Sequence, residues 1–122
     1  MNNPYESYIK TELETLSLPS LIAKGYDRII LELKGAIENI DKGDIKGKIQ
    51  HISKALDILN TLFYGLDFEK GGEIAQNLSQ LYSFCIREIQ LANLKNDKKR
   101  LEDVINILNT LKGGWEELAQ KL

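Results

Sequence analysis

The sequence predicts an all-α protein, an antiparallel up-down four-helix bundle with an N-terminal arm, and three observations predict it. Both prolines, Pro4 and Pro19, lie near the start of the chain, so nothing after them removes a helical hydrogen bond. Apolar residues then recur at steps of three or four in successive stretches, the spacing of a helix with one buried face. The stretches are divided by short segments rich in Gly, Asp and Asn, and connections that short make neighbouring helices antiparallel.

Residues 1–17 form the arm. Ser17-Leu18-Pro19 starts the first helix, because the hydroxyl caps free N–H groups and proline is tolerated in the first turn. Ile22, Tyr26, Ile29, Leu33, Ala36 and Ile40 give this helix, residues 18–41, its apolar face. Gly43 ends it and Asp44 caps the second helix, 44–66, which carries Ile45, Ile49, Ile52, Leu56, Leu59, Phe63 and Leu66. Residues 67 to 72, with Gly71-Gly72, read as a turn. The third helix, 72–94, presents Ile74, Leu78, Leu81, Cys85, Ile89 and Ala92. Asp97 caps the fourth, 97–121, with Leu101, Val104, Leu108, Leu111, Trp115, Leu118 and Leu122.

Composition narrows the function. A chain of 122 residues fits one domain, and a formal charge of −2 makes no field that attracts nucleic acid. The N-terminus lacks a basic and apolar leader, and no stretch approaches the roughly 18 apolar residues of a membrane span. A cytoplasmic protein without membrane insertion is expected. Lys98-Lys99-Arg100 stands beside Glu102 and Asp103 and reads as a solvated helix start.

Nothing in the spacing points to catalysis, a cofactor or a metal. His51 is the only histidine and belongs to no Glu-x-x-His pair, so a carboxylate and histidine metal set cannot be assembled. Cys85 is the only cysteine. It lies on a packing stripe, where a thiol is usually inert. Gly71-Gly72 has neither a preceding strand nor a phosphate-loop lysine, so it is a turn rather than a phosphate cradle.

What does stand out is apolar surface beyond one core stripe. On the second helix Ala55, Ile58 and Leu62 widen the stripe to about half the circumference. Phe84 and Leu91 on the third helix, and Ile107 on the fourth, lie outside or at the edge of theirs. An uncovered patch of this kind marks a partner site, and an amphipathic helix with anchors at helical spacing suits it. Two readings compete with a partner protein: the arm, with Tyr5, Tyr8, Leu13 and Leu16, covers the patch as a lid, or a homodimer buries it.

The chain also resembles a known family, the flagellin-specific export chaperones of bacterial flagella, the FliS family. The likeness spans nearly the whole chain. Its elements are Asn3-Pro4-Tyr5 with Tyr8, Leu21-Ile22 with Tyr26-Asp27, Leu66-Asp67, and Gly71-Gly72-Glu73-Ile74-Ala75-Gln76-Asn77-Leu78. Leu81-Tyr82-Ser83-Phe84 with Arg87, Ala92-Asn93 with Asp97, and Leu111 with Trp115 continue it.

The resemblance implies a helical bundle that binds the disordered C-terminal region of flagellin in the cytosol. On binding, the client becomes helical, and the chaperone prevents premature polymerisation and delivers it to the type III export apparatus, where an export gate component is the further partner. The expected partner-binding residues are Tyr5 and Tyr8 in the lid and Ile58, Leu62, Phe84, Leu91 and Ile107 in the grooves. Tyr26, Tyr82 and Trp115 are expected in the core.

Lys24-Gly25, Arg28 and Gly113-Gly114 depart from the family's pattern. Gly25 and Gly35 each weaken the first helix by up to about 1 kcal/mol relative to alanine, and Gly113-Gly114 marks a place for a kink before Trp115.

Overall fold

The structure is a computed structural model that describes residues 17–122. Tyr5, Tyr8 and the rest of the expected lid lie outside the described residues. Four helices follow in order, α1 (Leu18–Lys42), α2 (Ile45–Tyr64), α3 (Phe68–Lys95) and α4 (Lys98–Gln120). Each starts where a short polar side chain accepts a backbone N–H: Ser17 from Ser20, Asp44 from Gly47, Asp67 from Lys70, and Asp97 from Lys99 and Arg100. Such a cap contributes about 1 kcal/mol. Gly43 (φ 68°) and Asn96 (φ 52°) turn left-handed and stop α1 and α3.

Side-chain bonds between helices fix their directions. Lys98 and Lys112 of α4 reach Asp41 and Asp27 of α1, so α4 runs against α1. Lys48, near the start of α2, donates to the Asn93 carbonyl (2.8 Å) and Asn96 Oδ1 (2.6 Å) at the end of α3. Arg100, early in α4, pairs with Glu88, late in α3. The result is the expected up-down bundle, in which α1 and α3 each pack on α2 and α4. The α1 contacts are the closer ones, and α3 sits at the periphery.

The core follows from that inequality. Tyr26, Ile29, Leu33 and Ala36 of α1 are completely buried, with Ala55 and Leu59 of α2, Cys85, Ile89 and Ala92 of α3, and Leu101, Val104 and Leu108 of α4. On α2 the buried stripe is rotated from the expected one. Lys48, Ile52, Ala55 and Leu59 face inward while Ile45 and Ile49 are exposed. Ile58 and Leu62 turn toward α1, where a Cβ on Gly25 would stand in ordinary van der Waals contact with them, at 3.8 Å from Leu62 and 3.9 Å from Ile58.

Gly35 allows a close approach. A Cβ there would stand 2.7 Å from the His51 ring, which reaches past the glycine to bond Glu32 through Nδ1 at 3.0 Å. The glycine thus serves this contact, whatever it costs the helix.

The helix breaks differ from expectation too. α4 passes through Gly113 and Gly114 without interruption. α3 instead begins at Phe68, four residues before the expected start, and bends at Gly72, whose φ of 50° and ψ of −124° are non-helical and open chiefly to glycine.

Glu32 is buried between Arg28 and His51. Burial by itself would raise its pKa, but the His51 hydrogen bond and the charges of Arg28, His51 and Lys54 outweigh it and hold the carboxyl below its ordinary value. A carboxyl lowered in the folded state stabilises fully above its unfolded value, about 4.3, and that stabilisation disappears as pH falls through the folded value. Glu32→Gln is therefore expected to lower stability at neutral pH and to flatten the acid side of a urea-midpoint against pH curve. An unchanged acid slope would show that Glu32 does not carry it.

Candidate functional site

At one end of the bundle the apolar stripes do not close over one another. Beyond Leu108, none of the remaining residues of α4 is buried, and Ala75 is the only buried residue in the first two turns after the Gly72 bend. The open end forms two adjoining recesses of about 380 and 300 Å³. Leu18 and Ile22 of α1, Leu66 of the α2–α3 connection, and Ala75 of α3 line the first. Thr110, Leu111, Gly114 and Leu118 of α4 line the second, and Ile74, Leu78 and Trp115 belong to both. Ile74 is 69% exposed and Leu118 43%. The recesses therefore make one apolar groove with few polar edges, Asp67 and Lys70 among them.

A chain of hydrogen bonds marks the boundary between groove and core. Trp115 Nε1 donates to the Tyr26 hydroxyl at 2.9 Å, and the Tyr26 and Tyr82 hydroxyls are hydrogen-bonded to each other, their rings meeting edge to face. Burial first, then the neighbouring hydroxyl, pushes the Tyr82 hydroxyl far above its ordinary value, and burial raises Tyr26 as well. Both phenols stay neutral across physiological pH. Tyr26 and Tyr82 are core residues as expected, whereas Trp115 is half-buried and walls the groove.

None of the five residues expected in the grooves lines these two recesses. Ile58 and Leu62 are half-buried on the seam between α1 and α2, over Gly25. Phe84 and Leu91 flank Glu88 at helical spacing, and Glu88 bonds Arg100, so the pair lies on the α4-facing flank of α3. Phe84 is 38% exposed with the Arg87 guanidinium 5.9 Å from its ring centre. Ile107 follows Arg100 by seven residues, and Leu111 and Leu118 continue the same face of α4. Phe84, Leu91 and Ile107 thus occupy the α3–α4 seam, which runs on into the groove, and Ile58 and Leu62 do not.

The groove residues themselves were missed because they carry the ordinary core signal. Ile74, Leu78, Leu111, Trp115 and Leu118 sit at the spacing of buried stripes, and nothing local distinguishes them.

The residues considered for chemistry are apart. His51 bonds Glu32 on the α1–α2 seam, while Cys85 is completely buried in the core and burial pushes its thiol up to about 11. A thiol at that value is protonated at neutral pH and a poor nucleophile. Among the described residues there is no group of three or more His, Cys, Asp or Glu side chains placed to hold a metal ion. Nor is any described helix long and apolar enough to cross a membrane.

Together, fold and groove define a helical bundle with an apolar groove open at one end. The comparisons agree in kind. The family model of the flagellar protein FliS matches residues 1–122. A flagellar secretion chaperone FliS from Vibrio cholerae is 35% identical over 97% of this chain and 90% of its own length. The Campylobacter jejuni protein of that name is 33% identical, covering 96% and 91%. One from Salmonella typhimurium is 43% identical over 67% of this chain and 62% of its own length. The chain belongs to the FliS family of flagellar secretion chaperones, as the sequence resemblance implied.

The hydrogen-bond chain at the groove's edge is open to test. Tyr26→Phe leaves the buried Tyr82 hydroxyl and the Trp115 N–H without their partner, and a buried group so orphaned costs about 1–3 kcal/mol. Urea denaturation is expected to show a loss of that size with little change in far-UV helicity. A loss below about 0.5 kcal/mol, under the usual net worth of one hydrogen bond, would mean the bonds contribute nothing.

Proposed function

We propose that this protein is a cytosolic export chaperone that binds the C-terminal segment of flagellin, keeps it from polymerising prematurely, and delivers it to the flagellar type III export apparatus. The observation that carries the reading is the apolar groove at the end of the bundle, continuous with the α3–α4 seam, in a member of a secretion-chaperone family. Such a surface suits a segment that is disordered alone and becomes an amphipathic helix when its apolar side chains find cover. Flagellar secretion needs a client in that state, since a segment held as a docked helix is unavailable for assembly. Client contacts are assigned to Phe84, Leu91 and Ile107 along the seam. Ile58 and Leu62 join them where the client extends over α2, and a component of the export gate is the second partner.

The arm enters this proposal as a displaceable lid. Its sequence leads into Leu18, which lines the groove, and Tyr5 and Tyr8 supply the aromatic contacts. A site that is closed part of the time binds more weakly in proportion to the open fraction.

Calorimetric titration with a peptide of the last 40 or so residues of flagellin tests the reading: one-to-one binding with a large negative heat-capacity change is expected. Phe84→Asp should weaken it by about tenfold or more, as expected for loss of an apolar anchor, with helicity of the free protein unchanged. Absence of any heat with the unaltered protein would refute the function, and full affinity in the variant would remove Phe84 from the site. Deleting residues 1 to 14 should leave the bundle folded and tighten binding or speed association. Weaker, slower binding would reject the lid.

A further inference from the structure

Most of the helix-interior glycines here have a reason in the packing. Gly35 admits His51, a Cβ on Gly47 would stand 2.5 Å from the Asp44 carboxylate and one on Gly71 2.8 Å from Ala75, and Gly72 has a positive φ; Gly25 has Leu62 and Ile58 at ordinary contact distance. Gly113 and Gly114 have none. Both lie inside α4 with helical backbone, and a Cβ on either would meet no atom within 4 Å. Alanine would fit both places and would make the helix stiffer and more stable. The packing therefore does not require these two glycines.

Their position is what singles them out. On their N-terminal side α4 is anchored by Leu101, Val104, Ile105 and Leu108, all buried. On their C-terminal side no residue is buried. Among the described residues, the one hydrogen bond from there to another helix runs from Trp115 Nε1 to the Tyr26 hydroxyl. Gly114, Trp115 and Leu118 form one wall of the groove, and on the other side the chain bends at Gly72 beside the lining residues Gly71 and Ile74. A helix weakened at one point, anchored by buried side chains on one side and held on the other by a hydrogen bond and the half-buried Trp115 ring, has the form of a hinge with a latch.

We propose that the last two turns of α4, from Trp115 onward, swing as a unit about Gly113-Gly114, and that release of Trp115 from Tyr26 widens the groove to admit its occupant. The proposal rests on the chaperone reading for the identity of that occupant and not for the motion itself. When the wall swings out, the Tyr26 hydroxyl loses its donor, so an occupant that offers an N–H or O–H beside its apolar anchors is favoured there.

Trp115 is the chain's only tryptophan and so reports the latch directly. In the unaltered protein, acrylamide should quench its fluorescence, and its side-chain N–H should show microsecond to millisecond exchange in relaxation-dispersion NMR. Gly113→Ala with Gly114→Ala should raise the melting temperature, cut the quenching constant by about threefold and remove the exchange, as expected of a stiffened local opening. Tyr26→Phe, which removes the latch, should raise quenching instead. With the flagellin peptide the double alanine variant should bind about tenfold more weakly, mostly through slower association.

Equal quenching and equal exchange in the unaltered and double alanine proteins would overturn the hinge whatever the peptide does. So would equal association rates in two proteins that both bind. If the peptide binds neither protein, the chaperone reading falls, and the quenching and exchange measurements still decide the hinge on the free molecule.

Discussion

Two hydrogen bonds in series, from Trp115 to Tyr26 and on to Tyr82, tie three helices together at the level where the core ends and the groove begins. Because α1 and α3 lie on opposite corners of the bundle, the tyrosine pair is, among the described residues, the one polar link that crosses its interior. In a low-dielectric core such a link must be fully satisfied to be tolerated, and here each phenol has its partner. Core and site thus depend on the same atoms.

The second constraint is unequal packing. Small residues on α1 and α2, Gly25, Gly35, Ala36 and Ala55, let those two helices approach closely. α3 has no matching set of close contacts. It is held at its far end by the buried Lys48 ammonium and by the Arg100 pair with Glu88, and it parts from α4 at the near end. The apolar groove is what remains where α3 and α4 do not meet, and a bundle held in this way can bare part of its stripes without losing its core. A secretion chaperone needs both properties, a fold that stands alone and apolar surface for another chain.

Neither His51 nor Cys85 looks toward the groove. The histidine is committed to Glu32, and the cysteine fills space among Ile89, Tyr82 and Leu108 in the core cluster. Both side chains are engaged in holding the fold together.

The sequence by itself determined the four helices, their order and most of their ends, because caps and the period of three or four act within a few residues. It also determined that there is more apolar surface than one core stripe hides, and it carried the family resemblance. It did not mark the two recesses at the open end. Periodicity tells which face a residue occupies, not how near the opposite helix comes, so Ile74, Leu78, Leu111 and Leu118 read as core although they line a groove. Ile58 read as free surface although it is half-buried on the α1–α2 seam. The bend at Gly72 and the straight passage through Gly113-Gly114 were likewise decided by tertiary structure, since only the packing around a glycine determines whether its freedom is used.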